Sequence, residues 1–229
     1  RDTKISEIGT DIEIPNTAQV IDASDKTIFP GLVNPVSTIG ISARQGGATT
    51  SNARYRVLDE LYPYQHAYER ALRAGFTTLG LAPTGQGITG QGAIVKPIGQ
   101  TREEMLVAES SFLWIGFQAN DRTKKLIKGA FDSVQNKTDA KDPNKEPLAR
   151  ALQGDIPTFV SCNRPADTVH LLELVKGYDK MKVVLVIGYE NYHIADRLAK
   201  QKLPVVVPSA IDFEQFTRNR INVPNLLAN

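Results

Sequence analysis

Cysteine is nearly absent from this sequence: Cys162 stands alone. A single thiol excludes an internal disulfide framework, and it is compatible with either a cytoplasmic or an oxidising, periplasmic compartment. Long apolar runs are missing as well. No stretch approaches the roughly 20 residues that a membrane-spanning helix needs. The polar N-terminus has no charged segment leading into an apolar one, so the expectation is a soluble chain with neither anchor nor signal peptide. An excess of one charge is also lacking. Lysine and arginine number 27 against 25 for aspartate and glutamate. No basic run is interleaved with aromatics, so nucleic acid is not expected as a partner, nor is a membrane. No internal repeat or low-complexity tract is found. What is present is an ordinary 41% of hydrophobic residues in 229, enough for one large domain or two small ones with a real core.

The punctuation of the chain changes at Pro30. Before it, residues 4–8, 11–14 and 18–22 are short β-type segments separated by Gly9, Pro15 and the Ser24-Asp25 pair. They predict part of a small β-sandwich subdomain over residues 1–29. From 30 to 229, short apolar strands alternate with amphipathic helices, the pattern of parallel βαβ construction. "PGLVNPVSTIGIS" reads as a buried strand running out into a loop. Further strands are expected over 77–81, 93–96, 112–117, 157–161, 183–187 and 205–207. Helices are expected over 56–74 with Gly75 as C-cap, and over 101–109, 123–134, 166–176 and 191–201. The polar stretch 135–147, "QNKTDAKDPNKEP", reads as an exposed loop. Parallel strands need cover on both faces or around the outside, which leaves a doubly wound sheet and a (β/α)8 barrel as architectures.

"GQGITG" at residues 85–90 matches G-x-G-x-x-G directly after a strand. A pyrophosphate site needs a helix to begin inside the motif, so that its amides and dipole face the phosphates. Here β-branched "QGAIVKP" follows, closed by Pro97. The motif reads as a glycine-rich loop turning strand into strand, and a nucleotide-binding protein survives as a reading through this loop alone.

Four stretches in order resemble the amidohydrolase superfamily, and within it the imidazolonepropionase-like branch. "AQVIDASDKTIFPGLVNPVSTIG" is similar to that family's passage from sandwich strand to first barrel strand, and "AGFTTLGLAPTGQGITGQGAIVK" to its second strand and glycine loop. "IPTFVSCNRPADTVHLLEL" and "VVLVIGYENYHIADRLAKQKLPVVVPS" resemble the fifth, sixth and seventh strands with their helices. The resemblance spans most of residues 5–209. It implies an α/β fold, a (β/α)8 TIM-type barrel with its site at the C-terminal strand ends, where metals activate water to attack an amide-type carbon. It also implies a barrel incomplete in its C-terminal part, so completion by further chain or by a homo-oligomer is expected.

That chemistry needs imidazole, carboxylate or carboxylated-lysine ligands from several strands. Where the resemblance implies His-x-His on the first strand, this chain has Val36 and Thr38, which a period of two places together on the inward face. The fifth strand offers Ser161 and Asn163 in place of a second such pair. The sixth offers Val186 and Ile187 in place of Glu-His, and the middle-strand lysine falls at Trp114. The expectation is a barrel with no metal or other cofactor, whose apolar mouth suits packing or a small-molecule ligand, hence a pseudoenzyme or binding protein. The alternative is an active hydrolase of non-peptide C–N bonds, of cyclic amide or imidazolone type, using other or missing residues.

The remaining candidates have structural readings beside them. His66, His170 and His193 fall in helices on the barrel's outside without ligand spacing. Cys162 alternates with inward Ser161 and Asn163, so it should face the helices as an inert thiol. Asp22 and Asp25 read as turn residues. Glu190 follows the sixth strand and stays near the mouth, where a lone carboxylate is a general base only if another group polarises the substrate; Asp196 lies deeper on the helix. Arg164, just after the fifth strand, is the cation placed to meet an anionic ligand.

Overall fold

The computed structural model describes residues 4–41, 49–136 and 142–207. The chain divides into two units, Arg1–Pro30 and Gly31–Asn229.

In the first unit the three β-type segments form no strand among the described residues. Segments of four or five residues joined by polar turns need a partner ladder to bury a face, and here none pairs. Ile5, Ile8, Val20 and Ile21 are accordingly exposed. Local order comes from turns: Ala18 N–H donates to the Pro15 carbonyl at 2.9 Å and Lys26 N–H to Ala23 at 3.0 Å. Asp22 accepts the Ser24 hydroxyl at 2.6 Å and its amide at 2.9 Å. These bonds hold the Asp22 carboxyl below its usual range. Asp25 takes the left-handed conformation at φ 60°, as its reading as a turn residue requires.

The second unit is built on one eight-stranded sheet. Its strands are β1 (Leu32–Ser37), β2 (Thr49–Ser51), β3 (Phe76–Leu81), β4 (Gln86–Val95), β5 (Leu106–Gly116), β6 (Thr158–Cys162), β7 (Val183–Ile187) and β8 (Val205–Val206). The order is β1-β3-β4-β5-β6-β7-β8, with β2 on β4. β1 runs parallel to β3, and β5 through β8 are mutually parallel. β4 is antiparallel to β3 and β5 and parallel to the short β2. The purely parallel expectation fails there because residues 82–85 are too few for a crossover, which takes about a dozen residues. The sheet curls into a nearly closed barrel, with β1 at one edge and β8 at the other.

β1 is a partly exposed edge rather than a buried strand: Val33 is 61% exposed. The glycine motif is not a loop but the start of β4 itself. Gly87 and Gly90 have φ of 85° and 136°, and a Cβ on either would collide with the Thr50 or Tyr55 carbonyl. Glycine is therefore demanded by the close passage of the neighbouring chain, and a strand follows where a phosphate site would need a helix.

The helices are α1 (His66–Arg73), α2 (Arg102–Met105), α3 (Asp121–Gln135), α4 (Lys145–Gln153), α5 (Pro165–Val175) and α6 (Ala195–Gln201). The single helix expected over 56–74 breaks into a 3₁₀ turn at Val57–Glu60 and α1, because Pro63 cannot continue it. The helix over 101–109 stops after one turn, since β5 begins at Leu106 and pairs with Val95. α4 begins inside the stretch read as a loop; its Leu148 and Ala151 are buried, and Gly154 at φ 79° ends it. Residues 137–141 of that stretch lie outside the described residues.

Alternation along the strands sorts two faces. Leu113, Ile115, Val160, Cys162, Val183 and Leu185 pack outward with Ile127, Phe131, Leu148 and Leu171 of the helices. Phe112 and Trp114 form a separate inner cluster with Ala82, against which Val36, Phe159 and Val186 pack. No helix among the described residues is long and apolar enough to cross a membrane.

Candidate ligand cavity at the strand ends

The parallel register builds the inner face in layers. Trp114 stands beside Phe159, and Phe159 beside Val184; one layer closer to the C-terminal ends, Gly116, Ser161, Val186 and Val206 are successive partners. The lower layer carries aromatic bulk: the Trp114 and Phe159 rings lie 6.5 Å apart at 21°, and Phe112 lies 4.6 Å from Phe159. The upper layer carries only small side chains. A cavity of about 460 Å³ opens there, lined from β1 by Val33 to Val36 and from the opposite edge by Val206 and Val207, with Ser161, Asn163, Val186 and Ile187 between them. Both edge strands thus face one space without pairing to each other.

The structure brings together part of the residue set read from the sequence. Val36, Ser161, Asn163 and Ile187 line the cavity, although Ile187 also packs on the outer core. Trp114 is not among its lining residues and stands one layer away, level with Phe159. Thr38 does not join, because β1 ends at Ser37 and the period of two stops with it; Thr38 is exposed. Arg164 is not free to meet an anion at this cavity. Its Nε and Nη2 donate to the two carboxylate oxygens of Asp167, each at 2.9 Å, and the nearby Glu190 carboxylate further favours its charge. Glu190 itself is exposed on the 3₁₀ turn Tyr189–Ile194. None of the three histidines lines the cavity. Cys162 faces outward, and burial, helped by the Asp167 charge, pushes its thiol up to about 12.

Behind the cavity is a buried polar layer that sequence reasoning missed. Asn191 is fully buried. Its Nδ2 donates to the carbonyls of Gly188 at 3.0 Å, Asn163 at 3.2 Å and Cys162 at 3.3 Å, while Oδ1 accepts the Thr168 hydroxyl at 2.6 Å. One side chain therefore staples the ends of β6 and β7 to α5. Gly188 permits this approach, since a Cβ there would strike the Asn163 carbonyl. Asp167, at the third position of α5, also accepts Ala119 N–H at 2.8 Å and so ties the chain after β5 into the same layer. Burial raises its carboxyl pKa, but Arg164 and the Ala119 amide outweigh burial and hold it below the usual range. The sequence signal was local: Arg164, Pro165 and Asp167 have the spacing of a helix start with an acidic first turn.

Among the described residues, no three His, Cys, Asp or Glu side chains converge as a metal site would require. No family model matches the sequence, and no curated protein matches it. Among solved structures the chain is similar to an amidohydrolase from Thermotoga maritima MSB8, with 26% identity and a TM-score of 0.77; the match covers 89% of this chain and 62% of that one. The chain thus spans less than two thirds of that structure's length, and its fold is amidohydrolase-like.

Proposed function

We propose that this chain forms an amidohydrolase-like barrel, of the imidazolonepropionase-like kind, whose strand ends have exchanged metal ligands for a small-molecule pocket. The observation that carries this reading is the upper inner layer of Gly116, Ser161, Val186 and Val206, with Val36 across the cavity. Valine has no donor atom, and a serine hydroxyl and a carboxamide are poor replacements for imidazole and carboxylate. The described residues at the strand ends do not fit a catalytic metal. Elemental analysis of the purified chain tests this: no metal in stoichiometric amount is expected, whereas one equivalent of zinc that is lost in a Ser161→Ala, Asn163→Ala double variant refutes the reading.

A second reading, hydrolysis of a non-peptide C–N bond, is favoured by the solved amidohydrolase to which the chain is similar. It draws its catalytic groups from outside the described residues, and turnover of a cyclic amide by the purified chain supports it. In both readings the unpaired edges of β1 and β8 are covered by further chain or a second copy, because exposed edges such as those carrying Val33 and Val205 are aggregation-prone alone.

A further inference from the structure

We infer that the groove between α3 and the C-terminal end of α5 is a separate ligand site, one that takes a small phosphate monoester, with the phosphate on Lys124 and Lys125 and the organic body on Tyr178 and Leu174. The groove lies in the outer helix layer, and its volume is about 560 Å³, within the range of about 300 to 1000 Å³ typical of ligand sites. No residue lining it also lines the strand-end cavity. It therefore stands apart from the reading above, whatever the strand ends bind.

Charge selects the ligand. Lys124, Lys125 and Lys128 line the groove together with two carboxylates, Asp132 and Glu173, and both carboxylates are already neutralised. Asp132 accepts from the Lys128 Nζ at 2.7 Å. Glu173 accepts from Lys176 at 2.8 Å and from Arg197 at 3.2 Å. Lys124 and Lys125 have no carboxylate partner among the described residues, and Asp121, one turn before them, is not among the lining residues. Two uncompensated ammonium groups on one wall repel each other, and a group carrying about two negative charges at neutral pH relieves both at once. A phosphate monoester has that charge and three acceptor oxygens. A carboxylate would match only one of the lysines.

The opposite wall is apolar. Tyr178 is half-buried with its ring 5.1 Å from that of Phe131, and it packs with Leu174 on the outer core, so this wall is fixed and offers apolar surface to the ligand's body. Burial, with the Asp132 charge adding to it, pushes the Tyr178 hydroxyl up. It stays protonated and can donate to a phosphate oxygen.

The test titrates phenyl phosphate into the full chain at low salt, followed by calorimetry and by the amide NMR shifts of residues 124–128 and 173–178. Saturable binding with shifts centred on those residues is expected. Lys124→Gln and Lys125→Gln should each weaken it by about three- to fivefold, the loss of one partly exposed ion pair. Arg70→Gln, which removes a charge from α1 instead, should leave it unchanged. Raising the salt should weaken binding, because exposed charges are screened. Inorganic phosphate, which lacks the body, and benzyl alcohol, which lacks the charge, should each bind more weakly than phenyl phosphate. Absence of saturable binding overturns the inference, as do wild-type affinity in both lysine variants, shifts at the strand ends in place of the groove, or either fragment binding as tightly as phenyl phosphate. A polyaspartate peptide that binds this groove more tightly than phenyl phosphate overturns the small-ligand assignment and makes the groove a docking site for an acidic chain.

Discussion

Asp167→Ala should destabilise the fold by about 3 kcal/mol, because a buried carboxylate leaves behind charge-assisted partners with nothing to replace it. Its side chain is 2% exposed while that of Arg164 is 63% exposed, so the two ends of this ion pair are unequal. Water can take over the guanidinium, and Arg164→Ala should cost about 1 kcal/mol or less. Water reaches the Asp167 pocket far less easily, and Ala119 N–H loses its acceptor at 2.8 Å. Asp167→Asn keeps an acceptor for that amide and loses only the charge, so about 1.5 kcal/mol is expected. Urea denaturation of the three variants checks the order. The charge has its own signature in pH. Because the Asp167 carboxyl is held below the usual range by Arg164 and Ala119 against the opposing effect of burial, its contribution is fully present above the unfolded value of about 3.9. It is lost as pH falls through the lower folded value. The stability gap between the wild type and Asp167→Asn should therefore close on acidification. An Arg164→Ala variant as unstable as Asp167→Ala, or a gap that widens in acid, refutes the reasoning.

Cys162 should resist alkylation by iodoacetamide at pH 8 until the chain is unfolded, since burial and the Asp167 charge push its thiol up to about 12; a native-state rate like that of a free thiol sinks this. The same shift means that its contribution to stability is present below the unfolded thiol value of about 8.5 and is lost as pH rises above it. Asn191→Ala should lower stability by about 2 to 3 kcal/mol, because the Thr168 hydroxyl and the carbonyls of Cys162, Asn163 and Gly188 lose their shared partner. Asn191→Asp should do no better, since a carboxylate cannot donate to those carbonyls; thermal melting within a degree of wild type in either variant contradicts the staple.

Where a segment's own pattern decided its structure, that structure was legible in advance. The strand expected over 183–187 is β7, and helices over 123–134 and 166–176 appear as α3 and α5 with one or two residues added or shifted. Apolar residues at a regular period, preceded by start signals such as an Asn120 cap or a first-position Pro165, need no distant information. β4 was the opposite case. Three of its ten residues, Gly87, Gly90 and Gly92, give little strand signal, and only pairing with β3 and β5 makes a strand of them. The extended segments before Pro30 are the reverse case: each has β-type residues, and none forms a strand among the described residues.

The cavity depends on register, which no single strand's sequence contains. Period-two alternation placed Ser161 and Asn163 inward and Cys162 outward, and the packing agrees. It could not say that Ser161 would stand level with Gly116, Val186 and Val206, rather than beside Trp114. A shift of two residues along β6 would keep every side chain on its own face and still bring Phe159 level with Gly116 and Val186, filling the mouth with an aromatic ring. The registers of β5, β6 and β7 are held by ladders below and by Asn191 and Asp167 above. Those two buried side chains therefore do more than stabilise. By holding the strand ends level, they keep the small residues in one layer and the aromatic ones in the next, and the open space between the layers is what a ligand would enter.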